Sequence, residues 1–227
     1  MLGVVTPVPY LVAALLALAT GIALCAGARR KPGQWTIVTA RLIALVLVSD
    51  AVSFVISELV AGTWSPKTDL PFALCDVAVL VAAAACWWRE PLLVELTYFW
   101  GLAGTLQAVI TPDLNAGFPH LVFFQYLAGH LGIVLAALYL VIGLRIAPRR
   151  GSVTTTFAIT LAYTAFVGLV DAFSGANYMF LRRPPGNWTL LKVLGPWPWY
   201  IASAAAVALV LFAALDLPFW IGRRQHG

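Results

Sequence analysis

LVFFQYLAGHLGIVLAALYLVIGL, residues 121–144, contains no Asp, Glu, Lys or Arg. As a helix rising 1.5 Å per residue it covers about 35 Å, enough for the ~30 Å hydrocarbon layer of a bilayer. A helix that is apolar around its whole circumference belongs in lipid or in a large core. Similar stretches occupy 9–27, 36–61, 70–88, 93–111, 155–175 and 198–221, and the one at 93–111 is the least apolar. The expected fold is therefore all-α: a polytopic membrane bundle of seven transmembrane helices, with 1–227 forming a single integral membrane domain.

The composition agrees. Of 227 residues, 62% are apolar and 10% charged, against about 25% charged in a soluble domain; the mean hydropathy is +0.91. These values exclude a soluble enzyme, a disordered tail, a collagen-like rod and a disulfide scaffold. The net charge of +5 does not signal nucleic acid, because the only dense basic run is Arg29, Arg30 and Lys31, and cations flanking membrane helices set orientation and meet anionic lipid. No nucleic-acid partner is expected. The first 28 residues lack a positive segment before their apolar run, and bulky Leu24 precedes Cys25 where a lipoprotein signal has a small residue, so this stretch reads as a retained span.

Loop charge orients the chain. With the N-terminus outside and the C-terminus inside, ten of the 14 Lys and Arg fall on the inner side, and only Lys67, Arg182, Arg183 and Lys192 on the outer. That bias favours N-out, C-in in a plasma membrane crossed many times. Trp35, Trp87, Trp88 and Trp220 then lie at inner helix ends, and Trp64, Trp188, Trp197 and Trp199 at outer ends, as in an aromatic belt.

Polar groups within the spans mark candidate chemistry, because the bilayer makes them costly. Cys75 and Asp76, Gln107 followed by Asp113, His120, Gln125 and His130, and Asp171 followed by Asn177 and Tyr178 all approach the outer side. Asp50 and Glu58 lie in the middle and outer parts of the second span, whereas the inner half holds chiefly Glu95. The pattern implies a water-accessible cavity open to the outer leaflet. Counted from the expected helix starts, Cys75 lies about 8 Å deep and His130 about 13 Å, an offset that tilt and side-chain reach can close. A Cys beside a His base is a usable acyl-transfer nucleophile. Cys86 is some 16 Å along the same helix and so too far for a disulfide. No spacing suits a metal, and no cofactor or metal is expected. A plainer reading stands beside each: Cys75 as a small packing residue, His130 as an interhelical hydrogen bond, Arg182 and Arg183 as headgroup contacts.

Five segments together resemble the YwaF family of bacterial membrane proteins and the related eukaryotic transmembrane protein 164 family: LPFALCD (70–76), ELTYFWGLAGTLQAVITPDL (95–114), FPHLVFFQYLAGH (118–130), NYMFLRRPP (177–185) and VLGPWPWY (193–200). The first two spans match in general character only. The resemblance implies a phospholipid acyltransferase with a membrane-embedded Cys and His and an acyl-enzyme thioester, and is also similar, more distantly, to lipid hydrolases using Thr and His. On those motifs Cys75 is the nucleophile and His130 the base, with phospholipid or lysophospholipid as substrate. Arg182 and Arg183 are expected to hold the lipid phosphate. Depth alone suggests Asp171 or Asp76 as the group orienting His130, and Gln107 or Asn177 as the oxyanion donor. Three other readings remain open. A hydrolase uses the same pair with water. A transporter or small-molecule binding protein lines a path, though the inner half lacks polar continuity. A receptor is compatible with the topology, while a retinal pigment lacks its Lys in the seventh span.

Overall fold

A computed structural model of the chain describes residues 7–112, 117–184 and 190–225. Among these, all regular structure is helical. The bundle comprises α1 (Pro7–Arg30), α2 (Gln34–Ala61), α3 (Leu74–Trp88), α4 (Pro91–Ile110), α5 (Leu121–Gly143), α6 (Ser152–Ser174) and α7 (Trp199–Gln225). Six are long and apolar enough to cross a membrane; α3 has 15 residues and is shorter. The seven-helix reading therefore holds, with helix ends moved by up to four residues; the seventh helix, expected to end at 221, runs to Gln225. The third helix, expected from residue 70, starts at Leu74. Pro71 explains the difference, because proline disfavours helical geometry in the residue before it and offers no N–H.

Local chemistry sets the other boundaries. Pro91 occupies the first turn of α4 after an extended Glu90, where a missing N–H costs nothing. Gly62 and Gly175 end α2 and α6 in the left-handed region, at φ 69° and 76°, which glycine adopts without a Cβ clash. Two helices contain wide π turns: Trp100–Thr105 in α4 and Tyr139–Gly143 in α5.

Helices α2, α3, α4 and α5 pack together at the centre, α1 lies against α5, and α6 and α7 lie against each other and against α4. Small residues make this possible. Ala78, Ala82, Ala85 and Cys86 of α3, Ala136 and Ala137 of α5, and Ala40 and Ala44 of α2 are all buried. A Cβ added at Gly132 of α5 would stand 2.7 Å from Leu47 Cδ2, and one at Gly101 of α4 would stand 3.3 Å from Ala137 Cβ. Lipid is as apolar as leucine, so close van der Waals approach across such residues, rather than escape from water, holds membrane helices together.

Polar contacts tie each end of the bundle. At the arginine-rich end, Arg149 donates from Nε and from its backbone N–H to Glu95 Oε1 (2.8 and 2.9 Å), and its terminal nitrogen donates to Oε2 (2.8 Å). Arg223 bridges Asp216 (2.6 Å) and the Pro148 carbonyl (2.9 Å), and Tyr139 donates to the Thr36 carbonyl (3.0 Å). Glu95, the intramembrane carboxylate of this half, thus belongs to an ion pair. The opposite end is held by Tyr10 donating to the Val109 carbonyl (2.6 Å) and by the loop contacts described next.

Candidate functional site

Between α2 and α3 the chain descends without helix through residues 65–73. Non-helical backbone at membrane depth is tolerated only when its polar groups find partners. Two tyrosines provide them. The Tyr178 hydroxyl donates to the Pro66 carbonyl (3.0 Å) and accepts the Leu70 N–H (3.1 Å). The Tyr163 hydroxyl donates to the Phe72 carbonyl (3.0 Å). The Phe72 ring meets Tyr178 and Phe166 edge-on at 5.4 and 5.8 Å, and Asp69 accepts the Ser65 N–H at 2.7 Å. Burial pushes the Tyr178 phenol above its ordinary range, which keeps it a proton donor.

This strap delivers Cys75 to the first turn of α3, two positions after the extended N-cap Ala73. The sequence placed Cys75 near the outer end of the helix, about 8 Å below its start; the structure places it in the first turn. There the leading N–H groups have no carbonyl of their own helix, and the macrodipole favours negative charge. The adjacent Asp76 carboxylate works against that field. Cys75 is a free thiol, and the buried Thr105 hydroxyl hydrogen-bonds it. Thr105 closes the π turn of α4, a feature common at functional sites.

His130 lies on α5. Its Nδ1 is 2.9 Å from the Tyr126 carbonyl, and its ring stacks on the Tyr126 ring at 4.1 Å. A carbonyl only accepts, so Nδ1 carries the hydrogen and Nε2 holds the lone pair of the neutral ring. Tyr126 is itself fixed by its hydroxyl donating to the Ala108 carbonyl (2.7 Å).

Cys75 and His130 line one cavity of about 490 Å³ between α2, α3 and α5. Its walls are mostly apolar, from residues such as Val48, Val52, Phe54, Val79 and Ile133. Val52, Val55, Leu80 and Val122 belong both to the lining and to the exposed apolar surface, so the cavity opens sideways to the lipid. Asp50, Asp69, Asp76, Gln125 and Tyr126 supply the remaining polar groups, and no Lys or Arg among the described residues lines it. Gly129 leaves room for Asp50, whose Oδ2 would be 3.0 Å from a Cβ there. Gln125 donates to Ser53 (2.8 Å) and Ser57 (3.3 Å), while its Oε1 is buried without a hydrogen-bond partner among the described residues.

Of the residues expected at the site, Cys75, His130 and Asp76 come together here. Gln107 does not: it is exposed on α4, just past the π turn. Asp171 is fully buried elsewhere, its Oδ1 accepting the Tyr178 N–H at 2.9 Å. Asn177 Oδ1 accepts the N–H groups of Arg182 (2.9 Å) and Arg183 (3.1 Å), closing its own loop. Asn177, Arg182 and Arg183 line a second, polar cavity of about 190 Å³ with Gly175 and Ala176. Asp113 and Trp188 lie outside the described residues. Asp69, Tyr126 and Thr105 were not singled out from sequence. A carboxylate five residues before an apolar Cys-bearing stretch was the available signal for Asp69, and an aromatic four residues before His130 was the signal for Tyr126.

Comparison with known proteins places the chain. A family model described as the TMEM164 family matches residues 2–216. An "Uncharacterized protein" of Treponema pallidum (strain Nichols) is 26% identical over 161 residues, covering 71% of this chain and 66% of that protein. No solved structure matches. The matching model carries the transmembrane protein 164 description, not that of YwaF. Spanning nearly every helix of the bundle, including the strap and both walls that carry Cys75 and His130, this match shows that the chain belongs to the TMEM164 family.

Proposed function

We propose that the protein is a membrane-embedded lipid acyltransferase working through a thioester on Cys75. The observation that carries this reading is a thiol at a helix N-terminus and an imidazole with a free Nε2 on the walls of one apolar cavity open to lipid. In the first step His130 Nε2 takes the thiol proton. The sulfur attacks the ester carbonyl carbon of a phospholipid, the C–O bond breaks, and the lysolipid oxygen leaves with the proton from His130. In the second step a lipid hydroxyl gives its proton to Nε2 and attacks the thioester. The C–S bond breaks and the sulfur regains the proton.

The backbone N–H groups of Leu74 and Cys75, which precede the Asp76 N–H bonded to the Ala73 carbonyl at 3.1 Å, and the Thr105 hydroxyl are the donors assigned to the oxyanion, in place of Gln107 and Asn177. Asp76 lines the same cavity, but the Tyr126 carbonyl already orients His130. Arg182 and Arg183 would hold a lipid phosphate at the second cavity. The apolar walls exclude water and so favour transfer over hydrolysis. The charge bias of the loops favours the outer face of the plasma membrane for the cavity end.

The test uses purified protein in nanodiscs containing phospholipid with a labelled acyl chain. Intact-protein mass spectrometry should show a hydroxylamine-sensitive adduct in the wild type and none in Cys75→Ala or His130→Ala. A newly acylated lipid as product identifies a transferase, and free fatty acid a hydrolase. No adduct across several lipid classes, with both variants folded, overturns the reading.

A further inference from the structure

We propose that Asp171 and Tyr178 are positioning residues for Cys75, acting through the strap at residues 65–73; the inference rests on the acyl-transfer reading above. The two halves of the site are fixed by different parts of the molecule. His130 is held within α4 and α5, by the Tyr126 carbonyl, the Tyr126 ring and the hydroxyl that ties Tyr126 to Ala108. Cys75 is held by where α3 begins, and α3 begins where the strap ends.

A single hydroxyl clamps both limbs of that strap. Tyr178 takes the N–H of Leu70 and gives its proton to Pro66, while its ring supports Phe72. Leu70 is five residues before Cys75, with Pro71 and the half-buried turn at Phe72 allowing little slack. Tyr178 in turn is placed by Asp171, which has no exposed surface and receives the Tyr178 N–H at 2.9 Å just where α6 stops. Asp171 Oδ2 is buried and has no hydrogen-bond partner among the described residues. The bond to Tyr178 uses one oxygen, and an amide oxygen would accept it equally well. The chain of contacts therefore runs from the end of α6, through Tyr178 and the strap, to the sulfur. Neither residue touches the reacting atoms, so their loss misplaces the nucleophile against a base that stays put. Displacements near 1 Å at a reacting centre cost about a hundredfold in rate.

The full-length protein in nanodiscs provides the test, with Tyr178→Phe, Asp171→Ala and Asp171→Asn. Acyl-adduct formation is timed at several lipid concentrations. Separately, alkylation of Cys75 by N-ethylmaleimide is timed by peptide mass mapping, which needs no enzymatic activity. Tyr178→Phe and Asp171→Ala should slow acylation by about a hundredfold, with most of the loss in the maximal rate rather than in the dependence on lipid concentration, because α2 and α5 supply most of the cavity wall and the strap only Asp69 and Pro71. Alkylation of Cys75 should speed up in both as the strap loosens. Asp171→Asn should restore wild-type behaviour in both assays. Wild-type rates in folded Tyr178→Phe and Asp171→Ala overturn the inference, as does an Asp171→Asn protein as impaired as Asp171→Ala. If the wild type forms no acyl adduct, the acyltransferase reading falls; altered alkylation in the variants then still sustains the positioning of Cys75, and unaltered alkylation overturns it.

Discussion

Arg149→Ala should cost distinctly more stability than Glu95→Gln, although the two substitutions break the same ion pair. Glu95 is 1% exposed, while the Arg149 side chain retains 55% of its surface. Removing the guanidinium deletes two charge-assisted hydrogen bonds, each worth about 1.5–3 kcal/mol. It leaves a buried carboxylate with one backbone N–H, the 2.9 Å bond from Arg149 N. Breaking a fully buried pair this way costs about 3–5 kcal/mol, and solvent screening on the arginine side reduces that to about 2–4 kcal/mol here. Glu95→Gln leaves the charge on the half-exposed partner, which turns to water. The new amide oxygen still accepts the Arg149 N–H groups, so the loss is about 1 kcal/mol. Unfolding by SDS titration in mixed micelles, followed by tryptophan fluorescence, reads both values. Equal costs, or a larger cost for Glu95→Gln, would refute the argument that the stranded charge sets the penalty.

Further consequences can be checked at other positions. Gly132→Ala sets a Cβ 2.7 Å from the Cδ2 of fully buried Leu47 and should destabilise by about 1–3 kcal/mol; a Leu47→Ala background should recover part of it in the same SDS titration, and strictly additive costs would count against the contact. Thr105→Val keeps the side-chain shape but removes the hydroxyl beside Cys75; acyl-adduct formation should slow by about fivefold, the equivalent of one hydrogen bond of about 1 kcal/mol, and an unchanged rate argues against a role for that hydroxyl. For orientation, Lys67→Cys should react with an impermeant maleimide on intact cells and Arg29→Cys only after permeabilisation; the reverse pattern inverts the topology.

The helices were legible in the sequence because lipid imposes a minimum apolar length and places cations at one end; both are one-dimensional properties. Depth counted along those helices set Cys75 and His130 toward one end of the bundle, and both line one cavity. Azimuth was not legible. Which face of α2 meets α5 depends on Gly129 and Gly132 admitting Asp50 and Leu47, and no count of depth contains that. Gln107 shows the failure most clearly. A helix of regular period projects it from one angle, but the π turn at Trp100–Thr105 adds a residue before it and rotates everything downstream. Asp171 was recognised as too costly to be incidental, yet its partner is a backbone N–H seven residues on, in a loop whose path only the fold reveals. Two helix starts carried an unread local signal: Pro71 before the late start of α3, and Pro91 at the early start of α4.

The brevity of α3 bears on the host membrane itself. Fifteen residues give a rod of about 22 Å, some 8 Å less than a typical hydrocarbon slab. A bilayer meeting so short an element thins or tilts around it at a cost of fractions of a kcal/mol per ångström. Thinning on the flank where the cavity opens would bring lipid esters nearer to Cys75, which lines it. For the proposed acyl transfer, adduct formation is then expected to be faster in bilayers of short or unsaturated tails than in those of long saturated tails with sterol.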